Sequence, residues 1–306
     1  MVYRMSANQI EQPTTQQPVA QQTIGQFGYR PTIYENLRRI FSKGLIKILF
    51  LNGKNKFSNV FMQMLDPHYS IIWNGQSSKN KVIRFRTGHG RLLWRANTFY
   101  KEEPMMINWL KTFNQEDIFL DIGANVGTYT VPGAIESKLT YACELDPINI
   151  GLLKENLFLN GLTHKVIIMP FPATSKHMVA DIFYRDFSRG DALQSIGNET
   201  PLNTIEGSGK HVSLQLGFPL DSIFEQFNLE YPSKIKIDVD GNEKTVFEGA
   251  TQVIFNAAEV YYEDSGLKDS EDIINQFISH GYQIVSKERP KNSEVGCNLL
   301  FRKKTS

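Results

Sequence analysis

Phe119-Leu120-Asp121-Ile122-Gly123-Ala124-Asn125-Val126-Gly127-Thr128-Tyr129 is a short apolar run that breaks into a glycine-bearing turn. A buried parallel strand that turns into a helix while its backbone approaches a ligand needs this composition: apolar residues, then glycine, then small residues. The fold follows outward from here. Ile118 to Ile122 reads as a first strand and Val126 to about Glu136 as its helix; Thr140 to Glu144 is the second strand. Asp146 is a candidate N-cap with Pro147 at the first helical position, and Ile150, Leu153 and Leu157 form a stripe that stops at Asn160-Gly161. Val166 to Met169, Lys234 to Val239 and Glu259 to Tyr262 continue the strands, with helices over Asn242 to about Phe255 and Asp272 to His280. The last pair, Gln283 to Ser286 and Asn298 to Arg302, leaves no room for a crossover helix and must be antiparallel. The pattern predicts an α/β fold: a doubly wound, mostly parallel seven-stranded sheet closed by an antiparallel C-terminal hairpin.

Upstream, residues 1–30 read as a disordered polar tail, because Ser6 to Gln22 holds almost nothing to bury. Residues 31–95 form an N-terminal accessory region. There Leu37, Ile40, Phe41, Leu45 and Ile48 recur at helical spacing opposite Arg38, Arg39, Lys43 and Lys47. This basic amphipathic helix, within 34–51, suits either docking on the body of the protein or a peripheral contact with anionic lipid or glycolipid. Lys81 to Arg86 and Arg91 to Arg95 around Thr87-Gly88-His89-Gly90 read as a β-hairpin, with His89 a turn residue. Pro104 opens a helix carrying Met105, Met106, Trp109, Leu110 and Phe113. Residues 96–306 form the main domain, and 172–219, with one strand-like piece at Met178 to Phe183, is a long lid-like insertion. His177, His211, Arg189, Gln194 and Ser195 lie in it without an assignable role.

With 306 residues, 41% hydrophobic, the chain can build one full core and an appendage. Its net charge of +1 gives no reason to expect a nucleic-acid partner. Cys143 and Cys297 lack metal-ligand spacing and read as buried thiols of a reducing cytoplasm. The polar N-terminus lacks the apolar core of a signal peptide.

A dinucleotide site would show Gly-x-Gly-x-x-Gly; here Asp121-x-Gly123-x-x-x-Gly127 suits a ligand with a cationic amino-acid or sulfonium group, which Asp121 can face while Gly123 admits the backbone. Glu144 ends the second strand where an acid can accept hydrogen bonds from both hydroxyls of a ribose, or can serve the neighbouring Asp146-Pro147 helix start.

Lys101-Glu102-Glu103-Pro104, Asp121-Ile122-Gly123-Ala124-Asn125-Val126-Gly127, Glu144-Leu145-Asp146-Pro147, Asn156-Leu157-Phe158-Leu159-Asn160-Gly161 and Lys236-Ile237-Asp238-Val239-Asp240-Gly241-Asn242-Glu243 occur in this order. Together they resemble the FkbM-type S-adenosylmethionine-dependent methyltransferases, from about Arg95 to Arg302. The resemblance implies a class I methyltransferase, Rossmann-like fold and O-methylation of a carbohydrate or natural-product hydroxyl. It implies an S-adenosylmethionine site at Glu103, Asp121, Gly123, Ala124, Asn125, Gly127, Thr130, Glu144, Leu145 and Asp238. The doubled Glu102-Glu103 and the run Tyr261-Tyr262-Glu263-Asp264 depart from the family pattern, leaving open which acid faces the site and how the last strand end aligns.

Methyl transfer to a hydroxyl needs a base. Asp238 and Asp240, which strand alternation would put on one face, are the first candidates, and Glu243 and Glu263 come next. These acids could instead hold a divalent cation, though no metal ligands are assigned. Asp238 could also be only a structural or cofactor contact, with Asp240 capping the helix at Gly241-Asn242. A non-catalytic nucleoside-binding protein of the same fold stays open as an alternative, as does the oligomeric state.

Overall fold

The computed structural model describes residues 68–88, 90–184, 189–190, 192, 194–197, 211–266, 269–289 and 296–304. The polar tail, the basic helix at 34–51 and His89 lie outside the described residues. In chain order the elements are β1 (His68–Trp73), β2 (Lys81–Arg86), α1 (Gly90–Thr98), α2 (Pro104–Leu110), β3 (Ile118–Ile122), α3 (Thr130–Glu136), β4 (Leu139–Cys143), α4 (Pro147–Leu159) and β5 (Val166–Met169). They continue as β6 (Met178–Tyr184), β7 (Ser195–Ile196), β8 (His211–Gly217), α5 (Leu220–Gln226), β9 (Lys234–Ile237), α6 (Glu243–Gly249), α7 (Thr251–Asn256), β10 (Glu259–Asp264), α8 (Ser270–Ser279), β11 (Tyr282–Glu288) and β12 (Cys297–Lys303).

The main sheet has seven strands in the order β11-β12-β10-β9-β3-β4-β5. β3 pairs in parallel with both β4 and β9, while β12 runs antiparallel to β10 and β11, as the sequence requires of the last two strands. All five residues of β3 are buried. Alternation sends Leu120 and Ile122 into one apolar layer with Ile235, Ile237 and Tyr262, and Phe119 into the other with Trp109, Leu153 and Tyr261. A strand covered on both faces must be apolar on both, which is why the opening run shows no alternation. The chain leaves β3 for α3 beside β4 and returns through β9 on its other side. The crevice at this switch of direction, over the carboxyl ends of β3, β4 and β9, is where open α/β sheets bind ligands.

Several expectations change. The hairpin is formed by β1 and β2, with His68 opposite Arg86, and Arg91 to Arg95 belong to helix α1. Leu92 and Ala96 are the buried side of that helix, a spacing of four residues that the charged neighbours mask. The helix after the glycine turn begins at Thr130 rather than Val126, because Gly123 and Gly127 both hold φ above +80° and Asn125 holds +50°, so the turn is longer. Asp238 and Asp240 lie beyond the end of β9, so it is a turn with Asp240 at φ +49°, not strand alternation, that sets their directions. The helix over 242–255 is two, broken at Ala250. The insertion carries a three-stranded sheet, β7-β6-β8, where one strand was expected.

Polar side chains fasten the accessory hairpin to the main body. Asn160 Oδ1 accepts the Arg84 N–H at 2.9 Å, Asn156 Oδ1 accepts the Arg86 N–H at 2.8 Å, and Asn156 Nδ2 donates to the Val126 carbonyl at 2.8 Å. Thus the asparagines of the Asn156–Gly161 motif satisfy the free edge of β2 and hold the glycine turn together. At the other end of the hairpin the buried Glu136 carboxylate accepts from Trp73 Nε1 at 2.8 Å, the Ser77 N–H at 2.7 Å and Ser78 Oγ.

Two glycines test this geometry. A Cβ on Gly123 would stand 1.8 Å from the Asp238 carbonyl oxygen at φ +82°, whereas one on Gly161 (φ +68°) meets open space. Gly123→Ala should therefore cost about 3 kcal/mol or more and Gly161→Ala about 1 kcal/mol, read as shifts in the urea unfolding midpoint.

Candidate active site

A cavity of about 220 Å³ occupies the crevice. Gly123 and Asn125 from the glycine turn, Glu144 and Leu145 from the end of β4, Asp238 and Asp240 from the end of β9, and Glu103 and Glu263 line it. Phe171, Pro172, Ala173, Ile196 and Val246 supply its apolar wall. A second cavity, of about 170 Å³, lies beside it, and Arg95, Glu103 and Glu263 line both.

The glycine turn is built around Glu144. Its Oε2 accepts the Asn125 N–H at 2.7 Å and its Oε1 the Asp146 N–H at 2.8 Å, so both alternatives for this acid meet in one side chain: it braces the α4 start and stays on the cavity wall. With a further hydrogen bond from the Leu145 amide, three of the carboxylate's roughly four acceptor positions are taken. Burial pushes its pKa up to about 7 despite those amides.

Behind the turn sits an ion-paired group that sequence reasoning missed. Lys236 is buried with its Nζ 2.8 Å from Asp238 Oδ2, 3.3 Å from Asp121 Oδ1 and 3.3 Å from the Gly123 carbonyl oxygen. Burial favours the neutral amine, but the Asp238 and Asp121 carboxylates outweigh it and hold the ammonium above its usual range. Asp121 faces inward, accepting from Thr130 Oγ1 at 2.6 Å. A lysine between isoleucines in a strand that ends in Asp is the signal that could have revealed the group.

Asp121, Ala124, Gly127, Thr130 and Glu243 do not reach either cavity wall. Ala124 packs in the core, and a Cβ on Gly127 would meet Leu153 Cδ1 at 2.6 Å, so that glycine answers to helix packing. Glu243 accepts the Gly241 N–H at 2.9 Å and a hydrogen bond from Ser265 Oγ, which secures the turn behind Asp240; the N-cap of α6 is Asn242.

The acids at the seam between the cavities differ in charge state. Burial would raise the Asp238 carboxyl, but Lys236 and a hydrogen bond from Glu263 hold it below the usual range. The Asp238 charge first, then burial, push Glu263 well up, so it keeps its proton and donates to Asp238. Burial, reinforced by Asp238, raises Glu103 to about 7. Glu103 also takes a hydrogen bond from Tyr129, and Tyr261 Oη stands 3.5 Å from its Oε2. Tyr129 and Arg95 are further members that sequence reasoning missed, Arg95 because its helix was read as a hairpin strand.

The insertion reaches the cavity through Ala192, Gln194 and Ile196. Asn242 ties it down, accepting the Ile196 N–H at 3.0 Å and donating to the Gln194 carbonyl at 3.2 Å, while Gln194 Nε2 donates to Asp146 Oδ2 at 3.3 Å. His177 is exposed beside Ser222 and Phe218, and Arg189 is exposed. The His211 and Ser195 side chains lie outside the described residues. Among the described residues no three His, Cys, Asp or Glu are grouped to hold a metal ion, and no helix is long and apolar enough to cross a membrane.

A glycine turn after the first strand, an acid at the end of the second, and a seven-stranded sheet with its β12 strand reversed define the class I methyltransferase fold. Residues 121–284 match the Methyltransferase FkbM domain, and the chain belongs to that family. The hexuronic acid methyltransferase AglP of Haloferax volcanii is 22% identical over 195 residues, 63% of this chain and 74% of that protein. A tRNA (guanine(37)-N(1))-methyltransferase of Dictyostelium discoideum is 35% identical over 91 residues, 29% of this chain and 19% of that protein. The crystal structure of methyltransferase FkbM from Methylobacillus flagellatus superposes with a TM-score of 0.45 at 18% identity, over 62% of this chain and 44% of that one. The chain thus spans less than half the length of two of these three.

The raised acids set a pH dependence. A carboxyl whose folded pKa lies near 7, against an ordinary value of 4.5, binds its proton more tightly in the folded state. It therefore lowers stability as pH rises from about 4.5 to about 7. Glu103→Gln removes that cost: its Tm relative to the unmodified chain should climb across this window and level off above it, as followed by thermal melts at stepped pH.

Proposed function

We propose that this chain is an S-adenosylmethionine-dependent O-methyltransferase acting on a hydroxyl of a sugar in a polysaccharide or glycoconjugate. The observation that carries the reading is a pair of cavities that share the acids Glu103 and Glu263 in their walls, beside a glycine turn of nucleoside-binding type. The residues present fit the cofactor. Glu144 lines the cavity with acceptor capacity left for a ribose hydroxyl, and Leu145, Phe171 and Pro172 offer an apolar wall for a base. Asp238, kept ionised by Lys236, faces the cavity as a counter-charge for a cation. A diphosphate would meet Glu103, Glu144, Asp238, Asp240 and Glu263 with Arg95 as the one cationic lining residue among the described residues. The similarity to a hexuronic acid methyltransferase and the net charge of +1 support a sugar acceptor over a nucleic acid.

S-adenosylmethionine, when bound, supplies a methyl group on a sulfonium, and the new O–C bond forms as the S–C bond breaks with its electron pair left on sulfur. The protein must hold the acceptor oxygen about 3 Å from that carbon and remove its proton. Glu103 suits the second task better than Asp238 or Asp240. It stands at the seam with a pKa of about 7, whereas Asp238 is stabilised as the anion by Lys236 and is correspondingly weak as a base. Glu263 stays protonated and positions Asp238.

Calorimetry with S-adenosylhomocysteine and with NAD tests the first part: the former should bind, and binding of NAD alone overturns the reading. Glu144→Ala should weaken S-adenosylhomocysteine about ten-fold or more. Glu103→Gln should leave that affinity within a few-fold and lower kcat about 100-fold, with the rise of kcat/KM toward pH 7 abolished.

A further inference from the structure

The second cavity is walled by Trp94, Thr98 and Phe99 of α1 and the residue after it, by Glu102 and Glu103 before α2, by Thr128 and Tyr129 of the glycine turn, and by Glu263 and Asn298. Two features mark it as a place built for a ligand. Asn298 is 1% exposed, and its Oδ1 has no hydrogen-bond partner among the described residues, although burying an unpaired amide oxygen is costly. It lies opposite Glu263 in the β10–β12 pairing, so the strand register delivers it to the same wall as the seam acid. Trp94, by contrast, is 50% exposed at the cavity rim, with no ring contact among the described residues.

We propose that this cavity is the acceptor subsite and that it takes a neutral, polyhydroxylated ring, a hexopyranose rather than a hexuronate. The inference rests on the methyltransferase reading and adds where the acceptor sits and what it is made of. The polar lining sets the acceptors Glu102, Glu103 and the Asn298 oxygen beside the Thr98, Thr128 and Tyr129 hydroxyls and, among the described residues, one guanidinium, Arg95. A ring rich in hydroxyls, which both donate and accept, satisfies such a wall, and an anionic ring would bring a further negative charge toward the Glu102 and Glu103 carboxyls. Trp94 supplies the flat apolar surface on which the C–H face of a pyranose packs. Because Arg95, Glu103 and Glu263 belong to both cavities, a ring bound here presents a hydroxyl at the seam where Glu103 stands. Neither Trp94 nor Asn298 touches the first cavity, so acceptor and cofactor recognition are separable.

The test is saturation-transfer NMR on the full chain with S-adenosylhomocysteine present, using methyl hexopyranosides and the matching methyl hexuronates as probes. Transfer to the neutral rings should exceed transfer to the hexuronates. Trp94→Ala and Asn298→Ala should each weaken the hexopyranosides about ten-fold while S-adenosylhomocysteine affinity stays within about two-fold. Trp94 sits on a helix surface, so its variant decides the matter even if Asn298→Ala does not fold. Preference for the hexuronates, equal binding by both variants, or no transfer to any ring with S-adenosylhomocysteine bound would each overturn the subsite. Failure of S-adenosylhomocysteine itself to bind would instead overturn the methyltransferase reading and this inference with it.

Discussion

Lys236 lies buried at the hinge of the sheet, its ammonium shared by Asp121 at the end of β3 and Asp238 just past the end of β9. Taking these charges out of water is costly, and an apolar replacement of equal volume could be as stable. What an apolar trio could not do is fix the side-chain directions. Thr130 donates to Asp121, and Lys236 also donates to the Gly123 carbonyl, so one ammonium ties the first strand, the glycine turn and the β9 exit together. The turn then has a single place to go, and Gly123 is required there because the Asp238 carbonyl leaves no room for a side chain.

That constraint also sets the electrostatics in front of it. Asp238 is ionised because Lys236 is behind it, and Glu263 is protonated because Asp238 is ionised. Glu103, drawn down by Lys236 but raised more by burial and by Asp238, ends near neutrality. Three ionisable side chains, Glu103 before α2, Asp238 in the turn after β9 and Glu263 in β10, thus acquire distinct charge states around one buried cation. The division into an anion, an acid and a group with a pKa near 7 is what the proposed methyl transfer would draw on.

The peripheral elements serve the same centre. Asn156 and Asn160 of α4 bind the edge of β2 and the Val126 carbonyl, and Glu136 of α3 anchors the far end of the hairpin. With β1 and β2 so held, α1 lies across the crevice and contributes Arg95 and Trp94 to the cavities. Asn242 and Asp146 do the corresponding work for the insertion, whose Gln194 closes the other side. The sequence marks the first as an accessory region and the second as a lid-like insertion. In the structure they supply walls to the site.

The sequence by itself determined the sheet. Apolar runs bounded by glycine and proline are local signals, so the strands of the main sheet, the reversed last strand, the Asp146–Pro147 helix start and the Glu144 position were all legible. It also brought Glu103, Glu144, Asp238, Asp240 and Glu263 into consideration, because acids at strand ends stand out in the chain. Only the tertiary structure decided where their side chains sit. Asp121, Thr130, Gly127 and Glu243 turn inward to charge pairs, packing and capping, since which way a turn residue points depends on φ values and on neighbours distant in sequence. Lys236, Arg95, Tyr129 and Asn298 became visible only when strands adjacent in space but far apart in the chain placed them around one seam, for burial and charge pairing are properties of that neighbourhood and not of any residue alone.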